Sequence, residues 1–458
     1  MVFFKSKALK AVVLGASAVT GLGFVVNQQL TAEEKVSDSI LVTDLIKTKR
    51  DTISAIPDLF QGNDAALSLV QATRAARNLA QQAMAVNGYP GLVVGVSIKG
   101  KPCWVQGFGF SNVEAASRCT KDTVMRIASL SKPLTMLGVA KLVEEGKLDL
   151  DKNIYEYVGG KFPEKEFDGR KVTMSIRQIA SHLAGIRHYN SPDETYNFYK
   201  HYYSATDALE TFAYDDLVAK PGTKFNYSTF GYTLIAAAIE SVLPNGKSFG
   251  QYLINDVCRT ALGMSHTYLD DSTPIILNRA AQYFRDNQTL ENAPYTENSF
   301  KYAGGGILSS VPDLLHFGNV MLYSFMPPEN SKGFLKKETV DELWTPSRTG
   351  RVSLTPNLFR WCQYGLGWGL IRNAQPFHAA GAVPPFKDVI YHTGSATGGT
   401  TLLVIIPEKE MVIAIMCNLH SARGIMSLGR DVAQLFGNVK LEPSPIVTNH
   451  KEIVVKGA

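Results

Sequence analysis

Ser129-Leu130-Ser131-Lys132 is the stretch whose residue types most directly offer chemistry. A serine and a lysine three apart at the head of a helix share one face, about a turn apart. A serine hydroxyl is a weak nucleophile, and a desolvated lysine amine beside it can take its proton. The helix start adds unpaired N–H groups and a positive field, which favour developing negative charge. Pro133 is tolerated there because first-turn N–H groups need no partner. Taken alone, the pair reads more simply as a solvated helix start, since both residues are common.

Two later segments change that balance. Pro221-Gly222-Thr223-Lys224-Phe225-Asn226-Tyr227-Ser228-Thr229 places a tyrosine just before a helix expected over 234–242. Beside a Ser-x-x-Lys pair, Tyr227 can relay protons, as base in acylation and as acid to the leaving group; otherwise it is a core tyrosine. His392-Thr393-Gly394-Ser395 sits at the end of a strand, just before a second strand. Gly394 lets substrate approach that strand closely, and the Ser395 N–H can serve as one oxyanion donor, the Ser129 N–H as the other. His392 is expected to orient substrate, against the plainer reading of a surface histidine at a strand end. The ordered set, separated by roughly 95 and 165 residues with matching helix and strand contexts, is specific where each part is not.

The elements that must hold these residues follow from hydrophobic period. Residues 65–86 read as a helix closed by Asn87-Gly88, with Leu67, Val70, Ala76 and Leu79 as apolar positions. Residues 92–98 are a β-branched run, Lys99-Gly100-Lys101 a turn, and 103–108 a second strand. Residues 131–145 form an amphipathic helix stopped by Gly146. The middle, to about 262, is mostly helical in pattern. Residues 400–406 and 411–417 form a hairpin across Pro407-Glu408-Lys409-Glu410, and 425–436 a closing helix. Strands joined by short turns imply an antiparallel sheet. With helices packed on it and a helical lobe inserted over about 130–300, the expected class is α+β. We find no internal repeat.

Composition narrows the partners. The 458 residues carry 46 Lys+Arg against 41 Asp+Glu, a net +5 spread along the chain, so no nucleic-acid footprint is present. The cysteines, Cys103, Cys119, Cys258, Cys362 and Cys417, are odd in number and form no CxxC, which argues against a disulfide framework or zinc site. Nine histidines form neither H-E-x-x-H nor a tight cluster, so no metal ion and no cofactor are expected. Lys5, Lys7 and Lys10 precede an apolar stretch over 11–26. A cleaved secretory signal, a mitochondrial presequence and an N-terminal membrane anchor all fit it. Residues 1–35 are therefore set apart, 36–64 read as a linker, and 65–458 as the catalytic domain.

The three motifs together resemble the serine β-lactamase and penicillin-binding-protein superfamily, nearest its class C and esterase-like branch. Further blocks carry the likeness: Ile179-Ala180-Ser181-His182-Leu183-Ala184-Gly185-Ile186, Gly304-Gly305-Gly306-Ile307-Leu308-Ser309 and Tyr364-Gly365-Leu366-Gly367-Trp368. Within it the chain looks most like the animal mitochondrial branch. That resemblance implies a β-lactamase/transpeptidase-like fold and a serine protease acting on a peptide; the alternatives are an esterase acting on an ester, and a catalytically weak scaffold that keeps the fold for filament assembly. It also implies self-assembly into filaments, mitochondrial location and a link to lipid metabolism. Two departures stand out. Thr229 occupies the place of a usual asparagine, removing an amide donor, and His392 that of a frequent lysine. A histidine binds a carboxylate as a cation only when protonated. Both argue against efficient β-lactam hydrolysis.

Competing motifs read otherwise. Gly246-Lys247-Ser248-Phe249-Gly250 fits G-x-S-x-G, but a helix precedes it where a nucleophile elbow needs a strand. Ser248 with Gln251 reads better as a capping box. Of the two sequons, Asn226 abuts Tyr227, where a glycan blocks the site, and Asn287 sits in an expected turn.

Overall fold

Helix α1, Leu69–Asn87, starts where Ser68 and Gln71 form a reciprocal capping box and ends at Gly88, in the left-handed region at φ 66°. The cap places its start four residues later than the apolar spacing did. Its buried stripe is Ala72, Ala76 and Ala80, while Val70 is 72% exposed. Small residues at this spacing let a helix lie close on a sheet. The computed structural model describes residues 67–191, 194, 200–286, 289–347, 363–372 and 386–440. The segment 1–35, the linker 36–64, Asn287 and Cys362 lie outside them.

Strands β1 (Gly91–Ile98), β2 (Lys101–Asn112) and β3 (Ser117–Arg118) follow. A small sheet is formed by β4 (Met125–Arg126), β5 (Tyr268–Leu269) and β6 (Ile307–Ser309). The chain returns to the main sheet with β7 (Gln363–Tyr364), β8 (Gly369–Ile371), β9 (Val389–Ala396), β10 (Gly399–Ile406) and β11 (Met411–Cys417). In space the eight strands run β7-β8-β9-β10-β11-β1-β2-β3, each pair antiparallel. Leu92 faces Cys417 across the join of early and late strands. The expected hairpin forms as β10–β11, with Ile406 opposite Met411.

Every residue of β1, β10 and β11 is buried, because helices cover both faces. Four longer helices complete the frame: α2 (Ser131–Glu144), α3 (Phe230–Val242), α4 (Val311–Phe325) and α5 (Ile425–Gly437). On one face, α1 and α5 cover Leu92, Val94, Ile413 and Ile415. On the other, α4 packs so closely that a Cβ on Gly95 would fall 2.5 Å from Val311 Cγ1. Helix α2 is not the half-exposed helix its sequence suggested. Eleven of its residues, Ser131 to Ala140 and Leu142, are buried, because α3, the helix Gln251–Ala261 and the short helix Tyr302–Gly305 pack around it. The lobe holds α3 and a π-type helix, Gln251–Ala261. Its remaining helices are shorter than the pattern implied, such as Tyr155–Val158 and Ile176–Ala180. Among the described residues, no helix is long and apolar enough to cross a membrane.

Candidate active site

Ser129 lies in a 3-10 turn, Ala128–Leu130, between β4 and α2. Ala128 takes φ 51°, a left-handed conformation that costs a non-glycine residue energy and persists only where surroundings enforce it. The enforcing contacts are all buried. Thr401 Oγ1 of β10 donates to Ile127 O at 2.8 Å, and Ser131 Oγ donates to Ala128 O at 2.7 Å. The Ile127 N–H donates to Ile307 O of β6 at 3.0 Å. Gly394 of β9 completes the seat, since a Cβ there would overlap the Ile127 carbonyl and the Thr401 hydroxyl. Gly394 therefore admits the nucleophile turn, not substrate as its sequence context suggested.

Lys132 is wholly buried, and its Nζ lies 3.2 Å from Ser129 Oγ. It donates to Gly304 O at 2.6 Å and to Thr229 Oγ1 at 3.4 Å. A neutral amine has two N–H donors and one lone pair. Its three contacts, to Gly304 O, Thr229 Oγ1 and Ser129 Oγ, fill the positions around the nitrogen. Burial, then the charge of Lys301, holds Lys132 well below the usual lysine range. Among the described residues no carboxylate bonds Ser129, Lys132 or Tyr227. Lys132 Nζ also sits 4.7 Å from the centre of the Tyr227 ring. Burial pushes the Tyr227 phenol well up, opposed by the Ser129 hydroxyl. Desolvation thus moves the two groups apart, the lysine toward free amine and the tyrosine toward neutral phenol.

Three of the expected site residues, Ser129, Lys132 and Thr229, join in one hydrogen-bonded cluster, with Tyr227 packed against Lys132. Beyond Tyr391, β9 has β10 on one side, and among the described residues no strand on the other. Thr393 and Ser395 are exposed there, and Ser395 Oγ lies 3.2 Å from Ser421 Oγ. His392 departs from expectation. Strand alternation turns it inward, it is 5% exposed, and both ring nitrogens are engaged. The Ser228 N–H donates to His182 Nδ1 at 3.1 Å, which leaves the proton of neutral His182 on Nε2. That N–H donates to Tyr364 Oη at 3.3 Å, Tyr364 donates to His392 Nε2 at 2.9 Å, and His392 Nδ1 donates to the Thr393 carbonyl at 2.6 Å. Burial, then Lys132, lowers His392 to about 3. It stays neutral, and with both ring nitrogens bonded inside the protein it forms part of the wall behind β9.

His182, Tyr364 and the Gly304 carbonyl had no assigned role in the sequence. His182 packs 4.3 Å from the Tyr227 ring centre and, at φ 62°, is a second left-handed non-glycine residue of the site. Gly304 acts through its backbone, which no residue type announces. Ser248 instead caps the helix that follows, bonding Gln251 in both directions at 2.9 and 3.3 Å. Asn226 is tied to the Ile186 carbonyl at 2.9 Å. Among the described residues, no three metal-ligating side chains converge.

The beta-lactamase family profile matches residues 76–435. The serine beta-lactamase-like protein LACTB, mitochondrial, of Homo sapiens is 33% identical over 452 residues, covering 80% of each chain. The octameric penicillin-binding protein homologue from Pyrococcus abyssi superposes with a TM-score of 0.64 at 25% identity, over 80% of this chain and 77% of that one. A class C beta-lactamase mutant superposes with a TM-score of 0.59 at 19% identity, over 80% of this chain and 96% of that one, a likeness of fold alone.

Proposed function

This chain belongs to the beta-lactamase family, with its serine-hydrolase fold, and from that premise we propose that it cleaves peptides through an acyl-enzyme on Ser129. The observation that carries the reading is the buried Lys132 amine, 3.2 Å from Ser129 Oγ with its two N–H groups already committed. In the first step the Lys132 lone pair takes the Ser129 proton as Oγ attacks the carbonyl carbon. The oxyanion forms between the N–H groups of Ser129 and Ser395. Tyr227, kept as a phenol by burial, passes a proton to the leaving group and is resupplied from the lysine ammonium. Water, deprotonated by the same amine, then breaks the acyl-enzyme. Thr229 holds the amine from the far side, and Thr393, on the exposed edge of β9, contacts the bound acyl segment.

Mitochondrial location, self-assembly and a link to lipid metabolism belong to the same proposal. The name of the human relative supports the first and the octameric archaeal homologue the second, while the link to lipid metabolism rests on the sequence resemblance alone. Membrane association through the apolar stretch over 11–26 is part of it. The test is hydrolysis of a peptide anilide and its matched ester by the purified chain and by Ser129→Ala. The proposal expects both substrates to turn over and both activities to vanish in the variant. Ester turnover without anilide turnover would replace the peptidase by an esterase. Activity surviving in Ser129→Ala would overturn the site.

A further inference from the structure

Helix α2 gives the site more than Lys132. Ser131 and Thr135, four residues apart, lie on one face of it, and both are wholly buried. A helical threonine ordinarily turns its hydroxyl back to a carbonyl of its own helix. Thr135 Oγ1 instead donates to the Ala303 carbonyl of the short helix Tyr302–Gly305, at 2.9 Å. Ser131 Oγ, which donates to Ala128 O, also accepts from the Ile307 N–H at 3.3 Å. Between these two points in the chain lies the Gly304 carbonyl, 2.6 Å from Lys132 Nζ. Three side chains from the start of α2 thus grip the stretch 303–307.

We propose that Thr135 and Ser131 are positioning residues for the base: their hydroxyls clasp the chain on either side of Gly304 and so fix its carbonyl on Lys132. This rests on the hydrolase reading above and specifies what holds its lysine beside Ser129. Neither hydroxyl touches the reacting atoms; each acts through the carbonyl. Gly304 has no side chain with which to anchor itself, so its place is set by its neighbours. Helix α3 bounds it on one side, where a Cβ on Gly304 would fall 2.6 Å from Thr229 Cγ2. Thr233 of the same helix donates to Phe300 O at 2.8 Å. The two hydroxyls of α2 hold the stretch from the other side. A carbonyl beside the amine favours its charged form, so the carbonyl's place bears on proton affinity as well as on geometry. The titratable groups facing Lys132 are Tyr227, Tyr232, His182, His188, His392 and Lys301. Among the described residues, none of them hydrogen-bonds Thr135 or Ser131, so loss of the Thr135 hydroxyl reaches the base through the Gly304 carbonyl. Thr135 is the cleaner of the two to test, because Ser131 also seats the nucleophile turn.

The experiment is the rate of fluorophosphonate labelling of Ser129 from about pH 5 to pH 9, for wild type, Thr135→Val, Thr135→Ala and Thr135→Ser, with thermal unfolding of each. Valine keeps the volume and loses the donor; serine keeps the donor and loses the methyl. With the donor gone, the carbonyl drifts from Lys132, and the plateau rate should fall roughly tenfold in Thr135→Val and Thr135→Ala. The acid limb should move to lower pH by about half a unit in both, because an acceptor that favours the ammonium is lost. Thr135→Ser should keep the limb in place and the plateau within about twofold of wild type. Two results would overturn the inference alone. One is a wild-type plateau or an unmoved limb in a folded Thr135→Val or Thr135→Ala protein. The other is a fall in Thr135→Ser as deep as the roughly tenfold loss expected without the hydroxyl. Wild-type protein that is not labelled at any pH would overturn the hydrolase reading, and this inference with it.

Discussion

Replacing Gly304 by alanine tests how tightly the base is held. Gly304 has no positive φ to lose, so the effect of an added methyl is steric. That methyl would fall 2.6 Å from Thr229 Cγ2, 2.9 Å from Thr229 O and 3.3 Å from Tyr232 Cβ. Carbon atoms rest at about 3.5–4.0 Å, so something must retreat by about 1 Å. Thr229 and Tyr232 open buried α3 and cannot retreat cheaply; the short turn carrying Gly304 must yield. Its carbonyl then leaves Lys132 Nζ, to which it is bonded at 2.6 Å. The amine loses one acceptor and swings from Ser129. A misplacement of about 1 Å costs roughly 10²-fold in rate, and overpacking costs about 1–3 kcal/mol of stability. Labelling rate and thermal unfolding, measured on the same sample, separate the two effects. Near wild-type labelling from a folded Gly304→Ala protein would refute this account of the base.

Other outcomes follow from the site's wall. Asp270 is 5% exposed and holds Arg126 at 2.5 Å, Arg279 at 2.6 Å and Asn298 at 2.7 Å. Asp270→Ala leaves two guanidinium groups without it and should cost about 3–5 kcal/mol in denaturant unfolding; a loss below about 1 kcal/mol would mean that water already screens the pair. His188 is lowered to about 4 from 6.5, by burial and then by Lys132, Lys301 and Arg187. The folded state thus takes its proton later than the unfolded chain. Its contribution to stability is present above pH 6.5 and is lost as pH falls through about 4. His188→Gln should flatten the acid dependence of unfolding by up to about 1.4 kcal/mol per pH unit in that window, and leave the slope unchanged above it. An equal slope in both proteins would contradict the neutral burial of His188.

Much of this arrangement is legible in residue types. Ser129 and Lys132 announce themselves by spacing, and 92–98, 400–406 and 411–417 read as buried strands because helices cover both faces. What escapes the sequence is what depends on direction or on backbone. The inward turn of His392 depends on which face of β9 meets the nucleophile turn, and one sequence period cannot say. Gly394 and Gly304 look like glycines for a ligand or a bend, yet both make room for other parts of the chain. The close-packing stripe of α1 is alanine, the least conspicuous apolar residue, and exposed Val70 misleads beside it.

The central claim is that Ser129 is the activated nucleophile, and covalent labelling tests it most directly. Purified wild-type chain and Ser129→Ala would be treated with a fluorophosphonate, digested and mapped by mass spectrometry. The account predicts one adduct, on the peptide containing Ser129, absent from the variant. An adduct on any other serine, Ser248 included, or none on a folded wild-type protein, would contradict it.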